Sequence, residues 1–222
     1  MENIQQIIEK LEKEINNLFI SDFGGHDIYH LKRVLNLALH LQEKEGGDRL
    51  VIAVAAFLHD MHRIIGKEIK KYCSPKDSLP KIRDILVKTG LSEDKIERIL
   101  HCIELHEEYG FSKEGKTVKD IETLIIQDAD NLDAIGAVGI ARVFAYGGAN
   151  NIPIWVPDIS FTREIFEESD WDVSEIHHFY SKLLKLKDNM NTETAKKMAE
   201  KRHKFLEDFL KEFFEEWKVE IN

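Results

Sequence analysis

Apolar residues recur at helical spacing along nearly all of this 222-residue chain, whereas the period-two alternation of strands is scarce. The first stripe illustrates the pattern, because its apolar residues from Ile4 to Phe19 follow one another at steps of one, three and four. Capping residues, glycines and prolines divide the rest of the chain into further helices. The pattern predicts an all-α protein, with helices near residues 4–19, 25–45, 49–62, 74–90, 92–108, 119–145, 173–187 and 192–217.

The sequence contains no internal repeat, and the clearest predicted loop is the stretch 146–158, which holds Pro153 and Pro157. A chain of this length with 43% hydrophobic residues can bury one sizeable core. We therefore expect one helical-bundle domain over residues 1–222, in which residues 161–222 complete the core or form a homodimer contact. The last helix carries an apolar stripe that suits either role, formed by Met198, Phe205, Phe209, Phe213 and Trp217.

The formal net charge of −10 argues against binding of extended nucleic acid by a basic surface. It does not exclude a small phosphorylated substrate, because a local cation or a metal can outweigh the global charge. The sequence shows neither a signal peptide nor an uncharged apolar stretch long enough for a membrane. Cys73 and Cys102 are too few for a disulfide framework. We expect a cytoplasmic protein without a membrane partner.

One apolar run, AVAAFL at 53–58, ends abruptly at His59 and Asp60. Burying an imidazole and a carboxylate is costly unless each has a strong partner. His30 also lies on the apolar stripe of its helix, and Asp128 and Asp130 interrupt another apolar run. Polar groups at such positions indicate a shared buried site.

A divalent metal ion would satisfy these side chains together. His30, His59, Asp60 and either Asp128 or Asp130 would form a mixed nitrogen and oxygen ligand set, which suits Mn, Fe, Ni, Co or Zn better than Ca. No cysteine accompanies them, which argues against a structural zinc site. The sequence thus predicts a metal centre between central helices.

Four phrases carry a resemblance to a known family: HDIYHLKRVLNLA, AAFLHD, IELHE and DADNLDAIGAVGIARVFAYGG. In this combination they resemble the HD-domain superfamily of metal-dependent phosphohydrolases, particularly its small bacterial members. The resemblance spans residues 22–160. It implies an all-α HD-type bundle that binds a divalent ion (Mn, Mg, Fe, Ni, Co or Zn), with metal ligands at His30, His59, Asp60 and Asp130 rather than Asp128.

The resemblance also implies hydrolysis of a phosphate ester or anhydride, with a nucleoside mono- or triphosphate as the natural substrate. The candidate catalytic residues are His62, His106 and Asp133. The two histidines could donate protons or bind a second metal ion, and Asp133 would face the same cavity as Asp130. Several relatives have an acidic residue or a histidine where this chain has Arg63, so the general acid or base stays open. The candidate substrate-binding cations are Arg33, Arg63, Lys67 and Arg142.

Aromatic residues offer candidate surfaces for a nucleotide base. Trp155 in the predicted loop 146–158, together with Tyr72 and Tyr109, could stack on such a base. Packing of the loop aromatic on the core is an equal alternative.

Two other functions remain as alternatives. His26 and His30 have the spacing of the HExxH metallopeptidases, with an aspartate in place of the glutamate, but that function leaves His59, Asp60 and Asp130 unexplained. A non-catalytic HD-type nucleotide-binding or sensor protein is the second alternative. The GYP-type motif of the cyclic-dinucleotide phosphodiesterases is absent from the sequence, which argues against that activity.

Overall fold

The computed structural model describes residues 4–19, 24–108, 118–157, 159 and 173–218, and within these ranges the regular structure is entirely helical. The all-α fold predicted from the sequence is therefore confirmed. A short 3₁₀ helix, Leu183–Asn189, precedes the last helix. The α-helices are α1 (Ile4–Phe19), α2 (Ile28–Glu45), α3 (Arg49–Leu58), α4 (Met61–Ile69), α5 (Pro75–Val87), α6 (Glu93–Leu105), α7 (Ile121–Asp133), α8 (Gly136–Asn150), α9 (Glu175–Ser181) and α10 (Glu193–Trp217).

Helix α3 lies at the centre of the bundle, packed against α1, α2, α6 and α7. Every residue from Leu50 to Leu58 is buried, so this helix is apolar on all sides and has no solvent-facing stripe. Asp48 caps its start by accepting hydrogen bonds from the backbone N–H groups of Leu50 and Val51. The central position of α3 carries its C-terminal end, and therefore His59 and Asp60, into the protein interior.

Two helices that the periodicity predicts as continuous are broken, and the prediction was wrong at both places. The predicted helix 49–62 divides into α3 and α4 because Asp60 leaves the helical region, with φ −89° and ψ 12°. The predicted helix 119–145 divides into α7 and α8, which meet at a bend of 74°. Ile135 is extended there and Gly136 has φ 80°, a conformation that favours glycine. Apolar residues continue through both breaks, so periodicity alone does not reveal them.

The predicted loop 146–158 and the predicted helix 173–187 also differ from the structure. Helix α8 continues to Asn150 and ends at the left-handed residue Asn151, so the first part of the predicted loop is helical. Asp158, at its far end, lies outside the described residues. The predicted helix 173–187 is a short α9 followed by the 3₁₀ helix. No single helix in the described part of the chain is long and apolar enough to cross a membrane, although the bent pair α7–α8 passes on length and composition together.

Helix α10 packs against α7 and α8, and its buried residues are Ala195, Ala199, Leu206 and Leu210. The predicted stripe is only partly correct, because Phe205 and Trp217 remain about half exposed (51% and 52%). The fully buried residues therefore lie one position after the predicted ones, while Phe209 and Phe213 are partly buried against the core.

Asp128 on α7 anchors the segment that leads into α10. Its buried carboxylate accepts hydrogen bonds from the backbone N–H of Asn191 at 2.7 Å and of Thr192 at 2.7 Å, and from the side-chain amide of Asn191 at 3.0 Å. Burial raises the pKa of Asp128 despite these donors. Asp128 therefore joins two helices.

Replacement of Asp128 by alanine should lower the free energy of unfolding by about 2–4 kcal/mol, because it leaves buried main-chain donors without an acceptor. Asp128→Asn keeps one acceptor oxygen and should cost less. Urea unfolding of the metal-free variants measures both values. A loss below about 0.5 kcal/mol for the alanine variant would contradict an anchoring role.

Candidate metal centre

Three junctions of the bundle bring His30, His59, Asp60 and Asp130 together. His30 lies in the first turn of α2, where the Asp27 carboxylate caps the helix by accepting a hydrogen bond from the His30 backbone N–H at 2.8 Å. His59 and Asp60 occupy the break between α3 and α4. Asp130 lies in the last turn of α7. Both histidines are fully buried, and the Asp130 side chain is 15% exposed.

The ligand atoms of these side chains surround one small space. The Nε2 atoms of His30 and His59 are 3.2 Å apart. Asp60 Oδ2 lies 3.1 Å from His30 Nε2 and 3.6 Å from His59 Nε2. Asp130 Oδ1 lies 3.6 Å and 3.7 Å from the same two nitrogens. The structure thus brings together the four residues predicted as metal ligands.

The two imidazoles are oriented by their other nitrogens. Nδ1 of His59 donates to the carbonyl oxygen of Ala56 at 2.8 Å, and Nδ1 of His30 lies 2.8 Å from Asp133 Oδ2. Both Nε2 lone pairs then point into the shared space, the usual arrangement for histidines that bind a metal. Two nitrogens about 2.1 Å from one metal ion and at right angles would be about 3.0 Å apart, close to the observed separation. The residues therefore fit a divalent ion.

The electrostatics of the site also favour a bound cation, because both carboxylates are ionised. Burial alone would raise the pKa values of Asp60 and Asp130. The neighbouring histidines instead hold both pKa values well below the usual range, and Arg63 adds to this effect on Asp60. Burial lowers the pKa of His59, but Asp60 and Asp130 outweigh it and raise that pKa to about 9. Without a metal ion, a proton on His59 takes part of the role that a cation would fill.

Asp133, predicted as a catalytic group, supports the site from behind. It accepts two hydrogen bonds from Arg33, at 2.8 and 3.0 Å, and one from Arg142 at 3.1 Å. Burial raises its pKa, but hydrogen bonds from His30 and Arg33 more than offset this and lower the pKa of Asp133. Two of the predicted substrate-binding cations are thus engaged with a carboxylate that orients His30, and their contact with substrate stays a prediction.

A second group of donors lies beside the first, formed by the side chains of His62, His106 and Glu107. We refer to it as the His62–His106–Glu107 cluster. Glu107 Oε1 lies 3.4 Å from His62 Nε2 and 3.9 Å from His106 Nε2. The sequence predicted roles for His62 and His106 but missed Glu107, although it stands in the IELHE phrase directly after His106.

His26 was also missed as a neighbour of the site. Its Nδ1 is 2.7 Å from Asp60 Oδ2, and Arg142 Nη2 approaches the same nitrogen at 3.4 Å. Burial and the nearby arginines lower the pKa of His26 to about 3. The available signal was the HDIYH phrase, which puts His26 just before α2 and four residues ahead of His30. The structure argues against the metallopeptidase alternative, because Asp27, the would-be general base, caps α2.

A cleft of about 500 Å³ opens beside the centre, and its lining includes His26, His62, Asp130 and Glu107. Basic residues surround it: Arg63, Lys67, Lys70, Lys71, Arg142 and Lys182. Tyr72 lines the cleft, whereas Trp155 stacks on His177 with ring centroids 4.9 Å apart and packs against the core. Tyr109 lies outside the described residues.

This chain belongs to the HD domain family. The HD domain family model matches residues 27–135. The Bacillus subtilis (strain 168) protein YpgQ is 34% identical over 207 residues, which cover 92% of this chain and 90% of that protein.

Solved structures similar to this chain agree with that family. A Bacillus thuringiensis protein named as an HD-superfamily hydrolase is 36% identical, with 98% and 100% of the two chains covered and a TM-score of 0.71. YpgQ in complex with ADP is 29% identical, with 96% of each chain covered and a TM-score of 0.72. A Lactobacillus plantarum protein is 30% identical, with 99% and 100% covered and a TM-score of 0.82.

Alanine variants should separate the two aspartates that the sequence left as alternatives. Asp130→Ala removes a carboxylate from the shared space and should weaken metal binding by at least about 100-fold, since loss of a mere supporting partner already costs 10–100-fold. Asp128→Ala should keep the metal and lose stability instead. Isothermal titration with Mn²⁺ measures both. The reverse pattern would show that Asp128 is the ligand.

Metal binding should release about one proton near pH 7.5, because His59 must give up the proton that its raised pKa retains below about pH 9. The apparent affinity should therefore rise with pH and level off above about 9. Calorimetry in buffers of different ionisation enthalpy counts the released protons, and His59→Ala serves as the control. An affinity that does not change between pH 6 and pH 9 would contradict this assignment.

Proposed function

We propose that this chain is a divalent-metal-dependent phosphohydrolase that cleaves a phosphate ester or anhydride. The observation that carries the proposal is the 3.2 Å approach of the two Nε2 atoms of His30 and His59 beside two ionised carboxylates. The two Nε2 atoms face the same point, and a dication held there would bind both of them once His59 has given up its proton. Held by these histidines, Asp60 and Asp130, the ion (Mn, Mg, Fe, Ni, Co or Zn) would acidify water and polarise a phosphoryl oxygen.

The residues around the cleft would bind and orient the phosphate. Lys67, Lys70 and Lys71 are exposed residues of the lining, and Arg142 lines the cleft while donating to Asp133 at 3.1 Å. Fixed cations stabilise the charge that develops on phosphoryl oxygens during transfer. His62 lines the cleft, where it can give a proton to the leaving group, whereas His106 is buried and is not among the residues that line it. His62 is therefore the better proton donor of the two.

A nucleotide is the substrate class that we propose. The relative YpgQ has been solved in complex with ADP, and the cleft of about 500 Å³ has room for a ligand of that size. Its basic lining would contact the phosphates, and Tyr72 at the edge offers a ring for the base. A nucleoside mono- or triphosphate fits these features.

Purified protein loaded with Mn²⁺ should release phosphate from a nucleoside monophosphate, or pyrophosphate or triphosphate from a nucleoside triphosphate. The assay is a panel of nucleotides with separate detection of each product. His59→Ala should lower kcat by at least about 1000-fold if the metal supplies the nucleophile. His101→Ala is the matched control, because His101 is an exposed histidine on α6 that pairs with Asp120.

Two results would contradict the proposal in different ways. Nucleotide binding that depends on the metal, without turnover under any divalent ion, would favour the sensor alternative. Turnover that survives His59→Ala would place the chemistry elsewhere in the protein.

A further inference from the structure

The His62–His106–Glu107 cluster has the composition of a metal site in its own right. With Asp60, these side chains offer two imidazole nitrogens and two carboxylate oxygens within 4.8 Å of one another. The cluster lies directly beside the proposed metal centre, since the rings of His59 and His106 are 5.1 Å apart between centroids. Asp60 belongs to both sets of donors.

One atom of this cluster has no hydrogen-bond partner among the described residues. Nε2 of His106 is buried, while Nδ1 of the same ring donates to the carbonyl oxygen of Ile103 at 2.7 Å. With the proton on Nδ1, the Nε2 atom carries a lone pair. A buried acceptor without a donor is costly unless something completes it. Nδ1 of His62 is likewise close to a backbone carbonyl, that of His59, at 3.2 Å.

The positively charged side chain of Arg63 already lies against the carboxylates of this cluster. The guanidinium of Arg63 donates from Nε to Asp60 Oδ1 at 2.9 Å and from Nη2 to Glu107 Oε1. It bridges the two carboxylates that a second metal ion would need. The Arg63 side chain is only 23% exposed, so this position lies inside the site.

We propose that Arg63 keeps the His62–His106–Glu107 cluster closed to metal, so that the protein binds one ion where its donors could hold two. A guanidinium stays charged at all relevant pH values and directs its donors at the carboxylates. A dication at the same oxygens would displace these hydrogen bonds and repel the guanidinium. Removal of the positive charge leaves Asp60 and Glu107 as two ionised neighbours, together with two imidazoles ready to bind.

This inference rests on the proposed metal-dependent function, but its test does not use activity. Metal-free wild type and Arg63→Met are dialysed against excess Mn²⁺, and bound metal is counted per folded chain by atomic absorption. We expect about one ion for wild type and about two for Arg63→Met. Arg63→Met combined with His106→Gln should return to about one ion. Magnetic coupling between the two ions in Arg63→Met should broaden the Mn²⁺ resonance spectrum.

Two variants separate the loss of charge at this position from other effects. Arg63→Lys keeps a cation at the cluster, and Lys67→Met removes one from the cleft a turn further along α4; each should bind about one ion. Arg63→Gln replaces the methionine variant if circular dichroism shows that the latter fails to fold.

The outcomes distinguish this inference from the proposal on which it rests. Two ions in wild type, or one ion in a folded Arg63→Met or Arg63→Gln protein, would overturn the role of Arg63 and leave the first metal site intact. No bound metal in wild type would overturn the metal-dependent function as well. Two ions in Lys67→Met would show that general charge, and not the contact with Glu107, limits the number of ions.

Discussion

The burial of a charged helix end in the middle of the bundle is the constraint around which the rest of the structure is arranged. Helix α3 is apolar on every side, and its dense packing carries His59 and Asp60 into the interior with it. Desolvation of such groups is tolerated only where opposite charges and hydrogen bonds are close at hand. The breaks after α3 and after α7 meet this requirement, because each turns the chain and leaves a carboxylate pointing inward.

Charged side chains of alternating sign extend outward on both sides of the buried His59 and Asp60. On one side His30 bonds to Asp133, and Asp133 is held by Arg33 and Arg142. On the other side Arg63 joins Asp60 to Glu107. Each carboxylate stays ionised despite burial because a cation touches it. The arginines therefore stabilise the negatively charged side chains, and a dication at the centre would complete the series.

Sequence reasoning predicted the helical class and the residues that converge on the site, because buried polar residues stand out against apolar runs. It could not predict the breaks at Asp60 and Gly136, since the apolar pattern continues across them. It also left Asp128 and Asp130 as alternatives, because both interrupt the same run and only packing against α10 separates them. Glu107 escaped notice for a related reason: its partners, Arg63 and His62, are more than forty residues away along the chain.

The ion pairs of the arginines also bear on how this negatively charged protein would attract the phosphorylated substrate that we propose. Arg33 and Arg63 were expected to meet phosphate, yet both are bonded to carboxylates, whose negative charge offsets theirs at the cleft. Three exposed lysines at the end of α4 and just after it, Lys67, Lys70 and Lys71, also line the cleft. Exposed charges act over roughly a Debye length, about 8–10 Å in physiological salt, so these lysines would attract a phosphate locally even though the net charge of the protein is negative. Under the proposed function, the exposed lysines would capture the anion and the arginines would support the carboxylates that hold the metal ligands in place.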